Sequence, residues 1–454
     1  MTAIRSIKSE MRMDFNNLPV QDKIFYRDDS VAIYCGDCRE ILPLLSDISA
    51  IVTDPPYELG FMGKSWDKTG IAYDLNVWQG CLNALLAGGH LLAFSGTRTY
   101  HRMVCAIEDA GFEIRDMVEW MYGSGFPKSL DIGKAIDKMV GAEREVIGTV
   151  KKLQSYGYEG NNVFGDDIDR GGVMKITKPA TPEDQQWEGW GTALKPAHEP
   201  ICLARKPLSE KTVANNVLKY GTGGLNIDDC RVETREDQRR PSAGGENGLL
   251  GTSTFKIRER HIEDQIKQGG RFPANLIHDG SEEVMAMFPE TSKGWGQSTK
   301  GSENGIGSIF GIGGVNPNRY DMGGQSAARF FYCAKASRSE RDEGLDDMPL
   351  SDNPSEYGLN AVEGNPRKPR ECTGIEKVRN NHPTVKPLTL MSYLIKLITP
   401  PNGIVLDPFC GSGSTLVAAR QLGYKSIGIE LDKNSCEIAA KRCQTEIIRQ
   451  ESLL

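Results

Sequence analysis

Near the end of the chain the apolar run Ile404-Val-Leu-Asp407-Pro-Phe409 enters a turn, Cys410-Gly411-Ser-Gly413-Ser, and then a helix-like TLVAARQLG. A second apolar run, SIGIE at 426–430, follows at once. A strand that turns through glycines into a helix and returns as a strand is a β-turn-α-β unit, which belongs to a parallel sheet. The front of the chain repeats the theme. Residues 31–37 (VAIYCGD) and 50–54 (AIVTD) read as short strands that each end on an acid. Residues 89–96, 112–122 and 200–206 read as further strands, with helix-like stretches at 78–87, 99–110 and 388–398. The last helix is stopped by Thr399-Pro400-Pro401. The prediction is an α/β, doubly wound parallel sheet that is split in sequence, with the last-read strands at its centre.

Between these parts the pattern dissolves. From about 127 to 195, and from about 208 to 380, charge, Gly and Asn dominate; ten of the 35 residues in 291–325 are glycine. Such a composition buries little apolar surface by itself. It reads either as a solvated insertion or as a surface region ordered by a partner. The formal net charge of −7 argues against a generally basic, sticky protein, but a basic groove can sit on an acidic body. Eleven scattered cysteines suggest reduced thiols, and no apolar run approaches the ~18 residues of a membrane span, so the expected setting is cytoplasmic, away from any membrane.

Two motifs carry chemistry. In Asp407-Pro-Phe409-Cys-Gly411-Ser-Gly413-Ser, glycines let the backbone approach a ligand closely, and Glu430 ends the next strand where an acid accepts hydrogen bonds from ribose hydroxyls. A third glycine at the dinucleotide offset and a phosphate-loop Lys are both missing, which favours a neutral or cationic nucleoside over a pyrophosphate. The second motif is Asp54-Pro55-Pro56-Tyr57, at the end of a predicted strand. Its prolines remove two N–H donors and stiffen the backbone. What remains is a carboxylate, a free carbonyl at Pro56 and an aromatic face, a set suited to an exocyclic NH₂ on a flat base.

These residues resemble the amino-group DNA methyltransferases, which act on adenine N6 and cytosine N4. DPPY is similar to their catalytic motif and DPFCGSGS to their FxGxG motif for S-adenosylmethionine. With DPPY first, the order resembles their β group, a circular permutation of the Rossmann-like methyltransferase sheet. His382-Pro-Thr-Val-Lys-Pro387 is similar to the segment preceding FxGxG there, and KPAHEPICLARKP and FFYCAKASRSER look like phage- and plasmid-associated members. The resemblance implies a catalytic half at 25–126, an insertion at 127–195, a core strand at 196–207, a target-recognition region at 208–380 and a cofactor-binding half at 381–450.

By the same resemblance, Asp54 and the Pro56 carbonyl hold the target amine, Pro55 stiffens the turn and Tyr57 stacks on a flipped base. Phe409, Gly411 and Gly413 line the cofactor, and Asp407 lies near its methionine ammonium. Glu430 takes the ribose, Asp37 and Cys38 the adenine, and Thr384 and Lys386 the methionine carboxylate. The expected partner is double-stranded DNA; a homodimer and a separate restriction endonuclease are compatible with it. Asp at the head of the motif leans toward adenine N6, while cytosine N4 and a catalytically inactive DNA binder stay open. A cysteine nucleophile for cytosine C5 is excluded, since no cysteine follows a proline.

Weaker signals remain. Cys35-Gly-Asp-Cys38 has metal-like spacing but no second pair, so no metal is expected. His382 reads as structural more readily than as a base. Segment 366–386 carries six Lys/Arg against two Glu, which fits a solvated run or a phosphate-contacting stretch equally. Residues 61–67 (FMGKSWD) read as a lid over a flipped base, with Trp66 equally at home in a core.

Overall fold

The structure, a computed structural model, describes residues 15, 17–60, 65–123, 125, 129–151, 173–232, 270–289, 326–334, 339–352, 377–382 and 384–451. Its centre is one 10-stranded sheet. In chain order the strands are β1 (Ile24–Arg27), β2 (Val31–Cys35), β3 (Ile48–Thr53), β4 (Leu85–Phe94), β5 (Glu113–Met121), β6 (His198–Arg205), β7 (Leu276–His278), β8 (Tyr332–Cys333), β9 (Ile404–Asp407) and β10 (Lys425–Glu430). In space they run β1-β2-β10-β9-β3-β4-β6-β5-β7-β8. Neighbours from β2 through β4 are parallel, whereas β1 and β6 run antiparallel to the strands beside them. The sheet is therefore mixed, and the two late strands β9 and β10 lie between β3 and β2.

Why the strands read as unbroken apolar runs is plain from their surroundings. Val31 and Ile33 face one buried cluster while Ala32 and Tyr34 face another, and Val405 and Leu406 divide the same way. A strand covered on both faces has no solvent side to make polar. Helices α1 (Leu75–Ala84) and α2 (Tyr100–Asp109) cover one face through Val77, Trp78, Met103 and Ile107. Helices α3 (Leu388–Ile398), α4 (Ser414–Gln421) and α5 (Lys433–Glu451) cover the other through Leu390, Leu394, Leu416 and Cys436. Each such aliphatic side chain removed from water contributes about 1.5–3 kcal/mol. Asp74 caps α1 by accepting from the Asn76 N–H, and Gly423, at φ 75°, follows the end of α4. Helix α1 stops at Ala84, short of the expected 87, because β4 begins at Leu85 and Gly88 turns the chain at φ 79°.

Two parts are more ordered than their composition suggests. Segment 127–195 holds a small ordered unit: helices Ile132–Val140 and Pro182–Trp187 beside the antiparallel pair Val146–Lys151 and Val173–Thr177. Its core is polar. Arg144 pairs with buried Asp137 at 2.7 Å and with buried Asp184, and Thr181 donates to Asp137 at 2.7 Å. Charged residues used inside the unit make its composition look solvated. The 208–380 segment, in turn, is partly built into the sheet: β7 and β8 extend it beyond β5, and helix Val213–Tyr220 binds β4 through Asn216, which donates to Ala87 O at 2.7 Å. Strands of two or three residues are too short to show a period. The glycine-rich 291–325, residues 233–240 and the basic stretch 366–376 lie outside the described residues.

Candidate active site

The carboxyl ends of adjacent parallel strands gather the predicted acids at one edge of the sheet, where ligands of open α/β sheets bind. Asp54 follows β3, Asp407 ends β9, Glu430 ends β10 and Asp37 follows β2. Register enforces this: Leu406 pairs with Ile51, Asp407 with Gly428 and Glu430 with Cys35. The two halves, some 350 residues apart in sequence, are bonded directly, since the Thr53 hydroxyl donates to Asp407 Oδ1 at 2.7 Å (|i−j| = 354).

Asp407 is 2% exposed and also accepts from the Thr415 hydroxyl at 2.5 Å and the Phe409 N–H at 3.1 Å. Burial pushes its carboxyl up to about 6, against the pull of these donors. The turn that follows needs its glycines, with Gly411 at φ 49° and Gly413 at φ 81°. A Cβ on Gly411 would come 2.7 Å from His382 Nε2, and one on Gly413 2.8 Å from Ala439 Cβ. Buried Arg442 on α5 braces the turn by donating to Ser412 O at 2.7 Å and to Ser414 Oγ at 3.3 Å.

Glu430 is bonded on both oxygens by backbone, from Gly411 N at 2.9 Å and Asp432 N at 2.8 Å, and burial raises its pKa. Each carboxylate oxygen keeps a second lone pair for another donor. Gly36 N donates to Glu430 O at 2.9 Å, tying the β2 end to the β10 end. Asp37 caps helix Cys38–Ile41 by accepting from Arg39 N at 2.9 Å, and the Arg39 guanidinium holds its carboxyl below the ordinary range. Cys38 is buried, its thiol pushed up to about 12.

Around the DPPY turn the charges are arranged as a cluster. Lys386, 8% exposed, places Nζ 2.7 Å from Asp54 Oδ2, 3.3 Å from Glu199 Oε2 and 3.2 Å from the Tyr57 oxygen. The same ammonium stands 5.4 Å from the centre of the Tyr57 ring and 5.0 Å from that of Phe94. Burial disfavours its charge, but Asp54 and Glu199 outweigh burial and hold its pKa above the ordinary lysine value. Tyr57 donates to Glu199 Oε2 at 2.8 Å, and burial together with both carboxylates keeps its phenol protonated. Asp54 Oδ1 is buried and has no hydrogen-bond partner. Pro55 is buried and Pro56 half-buried beside it.

The structure thus brings Lys386 to Asp54, while Thr384 is exposed. His382 is held by its backbone: Arg341 Nη2 donates to its carbonyl at 2.7 Å, and its amide donates to Asn380 Oδ1 at 3.1 Å. Burial lowers its pKa to about 4, so the ring is neutral at physiological pH. The Ser339–Asp342 helix supplies the rest of this strap, with Asp342 accepting from Arg379 N and Asn380 N and Glu340 from Leu388 N. Glu199 and Arg442 were not singled out from the sequence. Glu199 is the second residue of β6, and an acid directly before the run 200–204 (PICLA) was the available signal. Of the expected lid, 61–64 and the Trp66 side chain lie outside the described residues, while Asp67 is buried and accepts from Glu58 N at 2.9 Å and Leu59 N at 3.2 Å.

No helix among the described residues is long and apolar enough to cross a membrane. Comparison with known proteins places the chain. It is 63% identical over 51 residues to a putative methylase, YubD, of Escherichia coli (strain K12), a stretch covering 11% of this chain and 22% of that protein. It is 43% identical over 72 residues to the type II methyltransferase M2.DpnII of Streptococcus pneumoniae, 16% of this chain and 27% of that one. The chain thus matches about a quarter of the length of these curated relatives. Among solved structures, the M1.HpyAVI–SAM complex covers 91% of this chain and 98% of its own at 15% identity and a TM-score of 0.35. The cytosine-N4-specific PvuII DNA methyltransferase covers 92% and 88% at 12% identity and 0.40. The family described as DNA methylase matches residues 48–441, most of the chain, and the protein belongs to that family of N6/N4 amino-methyltransferases.

Proposed function

We propose that this protein transfers a methyl group from S-adenosylmethionine to the exocyclic N6 of adenine in double-stranded DNA, with the target base turned out of the helix. The observation that carries the reading is Asp54 Oδ1, a buried acceptor with no donor, at the head of a Pro-Pro-Tyr turn. A buried acceptor left unpaired costs free energy until a donor arrives. An exocyclic amine is such a donor, and Asp54 with the Pro56 carbonyl offers one acceptor for each of its two hydrogens.

The residues present fit the cofactor. Glu430 retains acceptor capacity for ribose hydroxyls, Gly411 and Gly413 keep side chains out of the approach, and Asp37 and Cys38 stand at the neighbouring strand end. Thr384, Lys386, Asp407 and Phe409 complete the proposed surface. When bound, the cofactor supplies an electrophilic methyl group on a sulfonium. What the chain supplies is positioning and charge. The amine is a weak nucleophile because its lone pair is shared with the ring; two acceptors favour its pyramidal form and offset the positive charge it gains. Asp54 then takes the departing proton or passes it to water. Tyr57 offers a face for the turned-out base, recovering about 1–3 kcal/mol of the few kcal/mol that flipping costs.

Adenine is preferred because Asp, as in the resemblance, heads the motif; cytosine N4 presents the same hydrogen-bond pattern. We place the reaction in the cytoplasm, with target recognition from loops within 208–380. The test is nucleoside mass spectrometry of unmethylated DNA incubated with protein and S-adenosylmethionine. N6-methyladenine is expected. N4-methylcytosine would keep the mechanism and overturn the base, and neither product, with cofactor bound, would favour a non-catalytic DNA binder.

A further inference from the structure

We propose that Glu199 is a positioning residue that sets the charge of the amine pocket by holding Lys386, leaving the Asp54 carboxylate effective toward a nitrogen that becomes cationic. The inference rests on the reading of Asp54 as the amine acceptor. Glu199 comes from β6 and faces the site across the end of β4, where Ser95 N donates to Pro200 O at 3.0 Å and Phe94 lies under the lysine ammonium. It is thus fixed by the sheet and not by a mobile loop.

The charge balance follows from the distances. Lys386 Nζ is 2.7 Å from Asp54 and 3.3 Å from Glu199, with only 8% of its side chain exposed. A buried ammonium bonded to Asp54 alone would cancel that carboxylate, and the pocket would offer no net charge to an amine that turns cationic during transfer. With Glu199 the trio of Asp54, Glu199 and Lys386 carries one net negative charge. The second carboxylate also gives the ammonium a partner to keep when an amine engages Asp54. His382 is neutral and adds nothing to this balance, and Tyr57, a donor to Glu199, stays protonated. Asp407, bonded by Thr53 and Thr415, feels the Asp54 charge as well, but it touches neither Lys386 nor Glu199 and is the same in every variant below.

Charge-balance substitution tests this. Glu199→Gln keeps an acceptor for the Tyr57 hydroxyl and removes only the charge. Lys386→Met in the same chain returns the trio to one net negative charge. Methyl transfer is measured at saturating cofactor and DNA in the full-length protein, with thermal melts of each variant. Glu199→Gln is expected to lower kcat by about tenfold or more, the scale of one charge in a dry site, with the cofactor KM changed less than about threefold. At saturating cofactor the double variant should recover most of that loss in kcat, with a higher cofactor KM because Lys386 also belongs to the proposed cofactor surface, and Glu199→Asp should outperform Glu199→Gln. A merely structural role predicts the opposite order for the double variant. A double variant no faster than Glu199→Gln, or Glu199→Gln within about twofold of wild type, overturns the proposal while the function stands. A wild type that transfers no methyl group overturns the function, and this proposal with it.

Discussion

Asp407→Asn should make the protein more stable at pH 8 while impairing it. The carboxyl is 2% exposed and its pKa is raised to about 6 by burial, against an ordinary aspartate value of 3.8. Two units of difference correspond to roughly 3 kcal/mol. A raised folded-state pKa means that the native protein holds a proton the unfolded chain has released. That contribution is full below pH 3.8, shrinks as the pH rises and is gone above about 6, where the buried charge must be carried. Asparagine removes the charge and fits the same donors, because its Oδ1 still accepts from Thr53 and Phe409 and the Thr415 hydroxyl can turn to accept from Nδ2. Urea unfolding of both proteins from pH 4 to pH 8 isolates the group, since every other titration is shared. The expected difference is near zero at pH 4 and about 3 kcal/mol in favour of Asn at pH 8, together with weakened cofactor binding. A variant less stable than wild type at pH 8, or a difference that does not vary with pH, would refute the reasoning.

Other expectations are simpler to state. Gly411→Ala forces a Cβ to 2.7 Å from His382 Nε2 at a φ of 49°, so cofactor affinity measured by calorimetry should fall at least about tenfold while the fold survives. Arg442→Met removes the brace of Ser412 and Ser414 and should lower stability by about 2–4 kcal/mol in denaturant melts, with cofactor binding lost in parallel. Arg144→Met leaves Asp137 and Asp184 buried without their cation; this small unit should open locally, at a cost of about 3–5 kcal/mol, seen as faster amide exchange in 132–151 and 173–187 and not in the sheet. Tyr57→Ala should weaken base turning by about 1–3 kcal/mol, read by 2-aminopurine fluorescence in the target position, whereas Tyr57→Phe should keep most of it.

Much of the sheet was legible because its parallel strands are covered on both faces. Runs such as VAIYC and IVLD have no polar side, and the Gly-rich turn and Thr399-Pro-Pro punctuate them. Legibility failed where short elements borrow their stability from the sheet. Strands Leu276–His278 and Tyr332–Cys333 carry no period of their own: the first exists because β5 offers it an edge, and the second because the first does. In segment 132–187, the Asp137–Arg144–Asp184 network, with both acids buried, inverts the usual link between charge and exposure. The acids of the site were visible as strand-terminal residues. The partners of Lys386 were not, since its contacts with Asp54 and Glu199 span |i−j| values that no local pattern encodes.

In the proposed function, Asp54, with its unpartnered oxygen, holds the amine that receives the methyl group. Labelled methyl from S-adenosylmethionine, followed into the amino nitrogen of duplex DNA under single-turnover conditions for wild type and Asp54→Ala, tests it most directly. Wild type should transfer the label, and Asp54→Ala should lose at least about a thousandfold in rate with cofactor binding retained. Equal rates in the two proteins, or label appearing on a ring carbon, would contradict it.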